Sequence, residues 1–388
     1  MQKKAKKISK FANNQFDFIL CITVVLLLAL GIIMVLSASA PSALATTGNS
    51  YTYVKKQLLF AIIGLIVMFF LSKVDYRFYK KYYWYIYFAS WLVLLLVLVP
   101  GLGYSVKGAT RWIKFAGSQF QPSELTKIGM IIFYGGYLAD HRSEMGNPVK
   151  GFIVPLLYLL PPILILYVVQ NHFSVSLVIG IVVLVMMFIA GSKLKYFLVT
   201  ALIGMVAIVL LISKAGISQS SKSKSNNFRL DRIATSFDPW SDAQGTGYQT
   251  VQSLYAIGSG GMFGLGLGNS KQKYLYIPEP HNDFIFSILA EELGYLGCIL
   301  VIGLFAIFIW RGILISMRCQ DLFGSVIAIG ITTLVAVQAV LNIAVVTGTI
   351  PTTGMSLPFL SYGGTALLLL LANVGILLNI SRSSSRAK

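Results

Sequence analysis

Long apolar runs recur along almost the whole of this 388-residue chain and limit it to a membrane fold. Each is long enough, or nearly so, to cross the roughly 30 Å hydrocarbon core of a bilayer as a helix. Hydrophobic residues make up 56% of the chain and charged residues 11%, which is typical of a polytopic helical membrane protein. We therefore expect an all-α fold of about ten transmembrane helices in one integral membrane domain, residues 1–388. The predicted spans are 16–38, 57–72, 83–99, 123–139, 152–169, 174–191, 196–213, 283–310, 322–346 and 360–380.

Lysine and arginine residues concentrate in alternate connections of this arrangement. The two ends, KKAKK and SRSSSRAK, and the basic connections near 73–81, 142–150 and 193–195 all fall on one side. The positive-inside rule then predicts that the tails 1–15 and 381–388 are cytoplasmic. The net charge of +18 could also indicate nucleic-acid binding, but no basic soluble domain is present to hold it. Anionic lipid headgroups, or an anionic substrate on the outer side, are the expected partners.

Two connections have unusual composition. The long outer loop 214–282, between spans 7 and 8, contains a predicted short helix over 249–257 that ends at a run of glycines. These glycines permit close approach of the backbone, either to a phosphate or to a neighbouring helix. The sequence TGTIPTTGMSLPFLSYGGT joins spans 9 and 10, and its prolines and glycines predict a re-entrant or broken segment that lines a cavity. Residues 41–54 are expected to form a short polar loop.

Three carboxylates, Asp283, Glu291 and Glu292, fall within ten residues at the start of the eighth span. Ionised groups are costly at membrane depth, so this clustering indicates a functional site. Arg311, an expected cytoplasmic anchor, is 28 residues from Asp283, or about 42 Å of helix, which puts Asp283 at the outer boundary. Asp283 could be a general base, a metal ligand or a helix-start residue favoured by the dipole. Glu291, about 80° round the helix from Asp283, could line the same groove, and we expect Glu292 to pair with Lys127. A purely structural role is the alternative for both glutamates.

A second acid lies close to a lysine in QPSELTKIG. Glu124 and Lys127 are three residues apart, so they are neighbours on a helix and can neutralise each other or position a phosphate. The two outer loops also contain several cations that could balance a diphosphate leaving group, or be ordinary surface charges: Arg111, Lys114, Arg229, Arg232, Lys271 and Lys273.

Three blocks of sequence resemble the SEDS family of polytopic peptidoglycan polymerases. They are RWIKFAGSQFQPSELTKIG at 111–129, the stretch from DPWSDAQGTGYQ to FSILAEELG at 238–294, and PTTGMSLPFLSYGG at 351–364. The third block is more similar to the FtsW and SpoVE branch than to the RodA branch. The family's essential acid matches Asp283, and its acid–lysine pair matches Glu124 and Lys127.

The resemblance implies polymerisation of lipid II, the undecaprenyl-diphosphate-linked disaccharide peptide, on the outer face of the bacterial cytoplasmic membrane. It also implies a class B penicillin-binding protein as partner. We expect Asp283 to be catalytic, by an inverting mechanism, with support from Glu124, Lys127, Glu291 and His281. The predicted substrate-binding residues are Arg111, Lys114, Arg232, Gln249, Gln252, Ser253, Lys273, Ser361 and Tyr362.

One motif departs from the family pattern. Many members have Gln-Pro-Asp-Leu-Gly-Thr after the fifth span, whereas this chain has Gln170-Asn171-His172-Phe173-Ser174-Val175 and lacks the aspartate. No metal-spaced cluster is evident, and Mg²⁺ or Mn²⁺ bridging the diphosphate is the one cofactor considered. Two other functions stay open: a lipid II flippase, because transporters also use broken helices and intramembrane charges, and a non-catalytic scaffold for the penicillin-binding protein.

Overall fold

The computed structural model describes residues 16–106, 109–115, 118–205 and 238–384. The helices of this part of the chain are α1 (Phe18–Thr47), α2 (Thr52–Leu71), α3 (Arg77–Lys81), α4 (Tyr83–Leu95), α5 (Pro122–Asp140), α6 (Val154–Leu164), α7 (Phe173–Ala190), α8 (described over Leu194–Met205), α9 (Tyr248–Ser259), α10 (Ile285–Arg318), α11 (Leu322–Val346) and α12 (Gly364–Ser384).

Seven helical segments in the described residues are long and apolar enough to cross a bilayer: Phe18–Thr47, Thr52–Leu71, Val149–Val169, Phe173–Ala190, Ile285–Arg318, Leu322–Val346 and Gly364–Ser383. The predicted class, a polytopic helical membrane protein, is confirmed. The count of ten stays a prediction, because α4 and the described part of α8 are shorter and α5 contains Glu124 and Lys127 within its first two turns.

The first helix is longer than predicted. It continues through Pro41 to Thr47, so most of the expected polar loop 41–54 is helical and only Gly48 to Tyr51 separates α1 from α2. Gly48 ends the helix in the left-handed conformation, with a φ of 70°, which glycine adopts without a steric penalty.

The loop between α4 and α5 contains a small antiparallel sheet that the sequence analysis did not predict. Its strands are β1 (Gly103–Val106), β2 (Ala109–Phe115) and β3 (Ser118–Phe120), in the order β1-β2-β3. Tyr104 pairs with Trp112, and Ile113 pairs with Phe120. Arg111 and Lys114 both belong to β2, which contacts α5.

Helix α11 is the centre of the bundle, because it packs against α5, α7, α10 and α12. Helices α2 and α12 form another extensive contact. A side chain at Gly375 of α12 would put its Cβ 2.6 Å from the Met68 carbonyl oxygen of α2, so a small residue is needed for this close approach.

Both ends of the described chain meet at one face. The Asp17 amide donates a hydrogen bond to Ser381 Oγ at 3.0 Å, so the residue before α1 contacts the last turn of α12. Asp17 also accepts a hydrogen bond from Arg311 Nε at 2.9 Å, which ties α10 to the same face.

Helix α10 is broken at Gly294, whose φ of 67° and ψ of −165° are accessible essentially only to glycine. The glycine-rich stretch after α9, which we call the splice segment (residues 260–268), supplies the missing hydrogen bonds. Leu265 N and Gly266 N donate to the carbonyls of Glu291 and Glu292 at 2.9 and 3.0 Å. Tyr295 N and Leu296 N donate to the carbonyls of Gly261 and Met262 at 2.9 and 3.2 Å.

These hydrogen bonds distinguish between the two predicted roles of the glycines in the long loop, which were close approach to a phosphate and close approach to a helix. The short helix predicted over 249–257 is confirmed as α9, and Gly260 and Gly264 after it lie against α10. The amides of Leu265 and Gly266 are engaged with α10 carbonyls rather than arranged as a phosphate cradle. The helix-packing interpretation is therefore the correct one for these two amides.

The segment between α11 and α12, residues 347–363, is non-helical, and we call it the re-entrant segment. Met355, Leu357, Phe359 and Leu360 within it are buried. Its backbone is held by side chains of the surrounding helices. Gln57 of α2 donates to the Ser361 carbonyl and accepts from Gly363 N, both at 3.2 Å. Such backbone is tolerated at membrane depth only when protein groups satisfy it. The predicted break between the two helices is present, and the re-entry of this segment into the bilayer stays a prediction.

Candidate active site

Asp283 lies two residues before α10 begins and is half-buried. Its backbone carbonyl accepts a hydrogen bond at 2.7 Å from Asn342 Nδ2 of α11. Its carboxylate adjoins the re-entrant segment, since a Cβ on Gly354 would lie 3.6 Å from Asp283 Oδ2. Asp283 is thus placed where the start of one helix meets irregular backbone, an arrangement that can present an acid to a bound molecule.

His281 is part of an aromatic group beside Asp283. Its ring centroid lies 4.6 Å from that of Tyr53 and 5.6 Å from that of Tyr362. Tyr362 N also donates to the His281 carbonyl at 2.9 Å, so the re-entrant segment is fastened to the residue two before Asp283. Burial lowers the pKa of His281 to about 4, against a smaller opposing effect of Glu279. At neutral pH the ring is therefore uncharged.

The predicted pair on α5 forms as expected. Lys127 Nζ lies 2.7 Å from Glu124 Oε1, and the lysine side chain is 3% exposed. The pair lines a partly open cavity whose other polar lining includes Gln338, Ser361 and Tyr362. Self-neutralisation, one of the two interpretations of this spacing, accounts for the burial of the lysine.

The re-entrant segment connects this cavity with Asp283. Asp283 itself does not line the cavity; residues 356–359 and 361–363 do, while Gly354 adjoins the Asp283 carboxylate. Predicted residues Ser361 and Tyr362 therefore lie at the cavity wall. The Ser361 hydroxyl accepts a hydrogen bond from Leu357 N at 2.7 Å, so it also holds the turn of this wall.

Glu291 has the structural role that was one of the two interpretations of its position, rather than lining a groove with Asp283. It is 1% exposed, and its carboxylate accepts hydrogen bonds from the Ser270 hydroxyl and from the amides of Lys271 and Gln272. The carboxylate is therefore committed to shaping the loop after the splice segment, because three local donors satisfy it.

Glu292 pairs with Lys273 rather than with Lys127. Lys273 Nζ lies 2.8 Å from Glu292 Oε1, and the two side chains are 4% and 0% exposed. Ser37 of α1 donates to both carboxylate oxygens at 2.6 and 2.7 Å. Lys273 is thus engaged in a buried structural network with the Gly268 carbonyl as a further acceptor, which argues against its predicted contact with substrate.

The remaining predicted cations have different surroundings. Arg111 donates to the carbonyls of Gln170 and Asn171 at 2.9 and 2.6 Å. Lys114 is exposed, with its ammonium 5.7 Å from the centroid of the Tyr104 ring. Arg232 lies outside the described residues.

Helix α9 contains three predicted substrate-binding residues. Gln249 and Gln252 are half-buried. Ser253 is fully buried, and its hydroxyl bonds to Ser287 Oγ at 2.8 Å and to the Val346 carbonyl at 2.6 Å. This serine fastens α9 to α10 and α11, so its predicted contact with substrate is replaced by a packing role.

The altered motif places His172 next to two cations. Its Nε2 lies 3.0 Å from Gln121 Nε2, a contact in which the ring nitrogen must accept. Burial, and then the charges of Arg111 and Lys127, lower its pKa to about 3. A neutral histidine therefore occupies the position where many family members have an aspartate.

Two buried amides that hold the site were missed by the sequence analysis. Asn342 and Gln57 are both 0% exposed. Asn342 donates to the carbonyls of Asp283 and Met355, and Gln57 donates to the Ser361 carbonyl. A polar amide inside an apolar run is itself a signal, since such a group needs a partner at membrane depth.

Whether the described residues could hold a divalent cation depends on where their acidic side chains lie. Among the described residues, no three His, Cys, Asp or Glu side chains form a group that could hold a metal ion. Mg²⁺ bound mainly through substrate phosphates needs only one or two carboxylates, and Asp283 would supply one. The Mg²⁺ or Mn²⁺ requirement stays a prediction.

Comparison with known proteins extends over nearly the full chain. The family model FtsW/RodA/SpoVE, described as cell cycle protein, matches residues 18–386. Stage V sporulation protein E of Bacillus subtilis (strain 168) is 42% identical over 368 residues, covering 95% of this chain and 97% of that protein. A probable peptidoglycan glycosyltransferase FtsW of Trichlorobacter lovleyi is 41% identical over 371 residues, covering 96% and 94%.

Solved structures agree in fold. One, described as showing structural coordination of polymerization and crosslinking by a peptidoglycan synthase complex, has a TM-score of 0.76 at 27% identity and covers 95% of this chain and 98% of that one. The rod shape determining protein RodA of Thermus thermophilus has a TM-score of 0.68 at 27% identity, covering 95% and 97%. This chain is therefore a member of the FtsW/RodA/SpoVE family of cell cycle proteins, the SEDS family.

Proposed function

We propose that this protein is a peptidoglycan glycosyltransferase that polymerises lipid II at the outer face of the cytoplasmic membrane. The placement of Asp283 beside the re-entrant segment is the observation that carries the proposal. The relatives named as probable peptidoglycan glycosyltransferases support the same activity. The similarity to stage V sporulation protein E and to FtsW proteins favours a role in sporulation or division.

In the proposed reaction, Asp283 accepts the proton of the acceptor sugar hydroxyl while that oxygen attacks the anomeric carbon of the donor. The new carbon–oxygen bond forms as the bond to undecaprenyl diphosphate breaks, and the diphosphate leaves with the bonding electrons. Attack opposite the leaving group inverts an α-linked donor to a β-linked product. Exposed Lys114 is available to the departing diphosphate. Arg111, three residues before it on β2, is held by the carbonyls of Gln170 and Asn171.

A class B penicillin-binding protein is the proposed partner. The structural similarity to a chain of a peptidoglycan synthase complex supports this assignment, because that complex couples polymerization and crosslinking. The polymerase and the cross-linking enzyme would then act on one strand.

The rival function is transport of lipid II across the membrane. The cavity lined by Glu124 and Lys127 favours it, since a buried charge pair in a helical bundle is also expected along a transport path. Polymerisation and flipping assays on the same preparation distinguish the two functions.

The test is glycan-strand formation from lipid II by purified protein, with and without the penicillin-binding protein. Asp283→Ala and the isosteric Asp283→Asn are expected to lower the rate by about 10²- to 10⁴-fold, the usual contribution of a general base. Asp242→Asn, an exposed acid of the same outer loop that bonds Thr246, is the control and should keep its activity.

The possible outcomes separate the hypotheses. Polymer from both Asp283 variants at the wild-type rate would remove Asp283 from the chemistry. No polymer from any variant, together with lipid II transfer between leaflets, would make the protein a flippase. If the protein shows neither activity but still binds the penicillin-binding protein, the scaffold function is the one that remains.

A further inference from the structure

One buried amide joins the two backbone segments that meet at Asp283. Asn342 of α11 is 0% exposed, and its Nδ2 donates to the Asp283 carbonyl at 2.7 Å and to the Met355 carbonyl at 2.6 Å. The orientation of the amide is fixed, because only an NH₂ group can face two carbonyl oxygens. Within the described chain, its Oδ1 has no hydrogen-bond donor.

The two acceptors belong to different parts of the site. Asp283 lies two residues before α10, whereas Met355 follows Gly354, the residue of the re-entrant segment that adjoins the Asp283 carboxylate. Gly354 has a φ of 69°, so the backbone turns at this point. The Ser174 hydroxyl holds the other side of the turn by donating to the Thr353 carbonyl at 2.8 Å.

We propose that Asn342 is a positioning residue for the reaction: its two hydrogen bonds fix the Asp283 carboxylate against the turn at Gly354. The proposal rests on the proposed function, because it assigns Asn342 to the same proton transfer. A general base has to lie within about 2.6–3.2 Å of the proton-bearing oxygen. Release of the Asp283 backbone from the turn therefore lowers turnover more than it weakens substrate binding.

The test uses three variants in the full-length protein. Asn342→Leu keeps the size of the side chain without its donors. Asn342→Asp keeps the shape of the side chain, but an ionised aspartate has no proton to donate and faces the Asp283 and Met355 carbonyls with oxygen only. Thr332→Val is the matched control, because Thr332 is also buried in α11 and its hydroxyl bonds only within the helix, to Ala328 O at 2.7 Å.

Three quantities are measured: kcat and KM for lipid II, the thermal unfolding midpoint, and amide hydrogen exchange. We expect Asn342→Leu and Asn342→Asp to lower kcat by about tenfold or more, with KM changed less than about twofold. Amide hydrogen exchange in residues 281–287 and 353–356 should be faster in both Asn342 variants than in wild type. Thr332→Val should show no comparable increase in these residues.

Unchanged exchange in those two stretches, or kcat within about twofold of wild type, would overturn the proposal. A rise in KM alone, or failure of both Asn342 variants to fold while Thr332→Val folds, would also overturn it, since the role would then be binding or structure. If wild-type protein forms no polymer, the proposed function fails, and the exchange result alone decides whether Asn342 positions Asp283.

Discussion

At the scale of single residues, the polar groups around Asp283 act mainly through backbone atoms. Gln57, Ser174 and Asn342 lie on three different helices, and each donates to a carbonyl of the re-entrant segment. A carbonyl that lacks water needs such a donor. The irregular backbone of the site is therefore stabilised by side chains that do not face a substrate.

His281 makes the stability of this region depend on pH. Its pKa is about 4 in the folded protein, because it is buried, against an ordinary value of 6.5. The unfolded chain thus binds a proton at a higher pH than the folded chain, so stability is full above pH 6.5 and falls as the pH decreases toward 4. At pH 5 the loss from this residue is roughly 2 kcal/mol.

The measurement is the unfolding midpoint between pH 7.5 and pH 5, for wild type and for His281→Phe. Phenylalanine keeps a ring next to Tyr53 and Tyr362 but cannot bind a proton, so its midpoint should fall less over this range. Parallel curves for the two proteins would show that His281 does not titrate in this way.

The pairing of Glu292 illustrates what helical spacing can and cannot predict. Periodicity correctly made Glu124 and Lys127 neighbours, because both belong to one helix. It failed for Glu292, whose partner Lys273 is delivered by a loop that folds back over α10. A contact between a loop and a helix depends on the path of the chain, and local spacing does not contain that path.

At the scale of elements, the break in α10 and the splice segment are one unit. Gly294 opens the helix, and four backbone hydrogen bonds from the splice segment close the opening again. The half-helix that follows Asp283 is in this way fixed to the loop after α9.

Gly294→Ala should destabilise the protein. Its Cβ would lie 2.7 Å from the Met262 carbonyl oxygen, and the backbone conformation is one that alanine rarely adopts. Such strain costs about 1–3 kcal/mol. Gly303→Ala is the matched control on the same helix, because nothing lies within 4 Å of its Cβ, and it should be neutral or slightly stabilising. Equal unfolding midpoints for the two variants would contradict the role given to Gly294.

Lys273→Met should be strongly destabilising because it leaves Glu292 buried without its cation. Breaking one partner of a buried pair costs about 3–5 kcal/mol. The double variant Lys273→Met with Glu292→Gln should recover part of the loss. Lys150→Met, which breaks the exposed pair with Glu144, is the control, with an expected effect of about 0–1 kcal/mol. A small effect of Lys273→Met would show that the pair does not hold the loop.

Hydrophobic patterns predicted the long elements well and the short ones poorly. The long spans, α9 and the re-entrant segment all follow from runs of apolar residues, glycine and proline. The three strands escaped prediction because the longest has only seven residues, Ala109–Phe115, and a short strand becomes recognisable only when its partners are known.

At the scale of the whole molecule, the distribution of basic residues predicts which side is cytoplasmic. Exposed Lys114, on the sheet, should face outward, and exposed Arg142, after α5, should face the cytoplasm. In a cysteine-free background, a membrane-impermeant maleimide should label Lys114→Cys in intact cells and Arg142→Cys only after permeabilisation. The reverse pattern would invert the proposed topology and put the candidate site inside the cell.

The contact between Asp17 and Ser381 has an arithmetical consequence for the membrane crossing. A chain that enters and leaves at the same face crosses the bilayer an even number of times, whichever face that is. Seven helical segments in the described residues are long and apolar enough to cross, and seven is odd. If all seven cross, at least one further helix must also cross, and the described candidates are Tyr83–Leu98, Pro122–Asp140 and the helix that begins at Leu194.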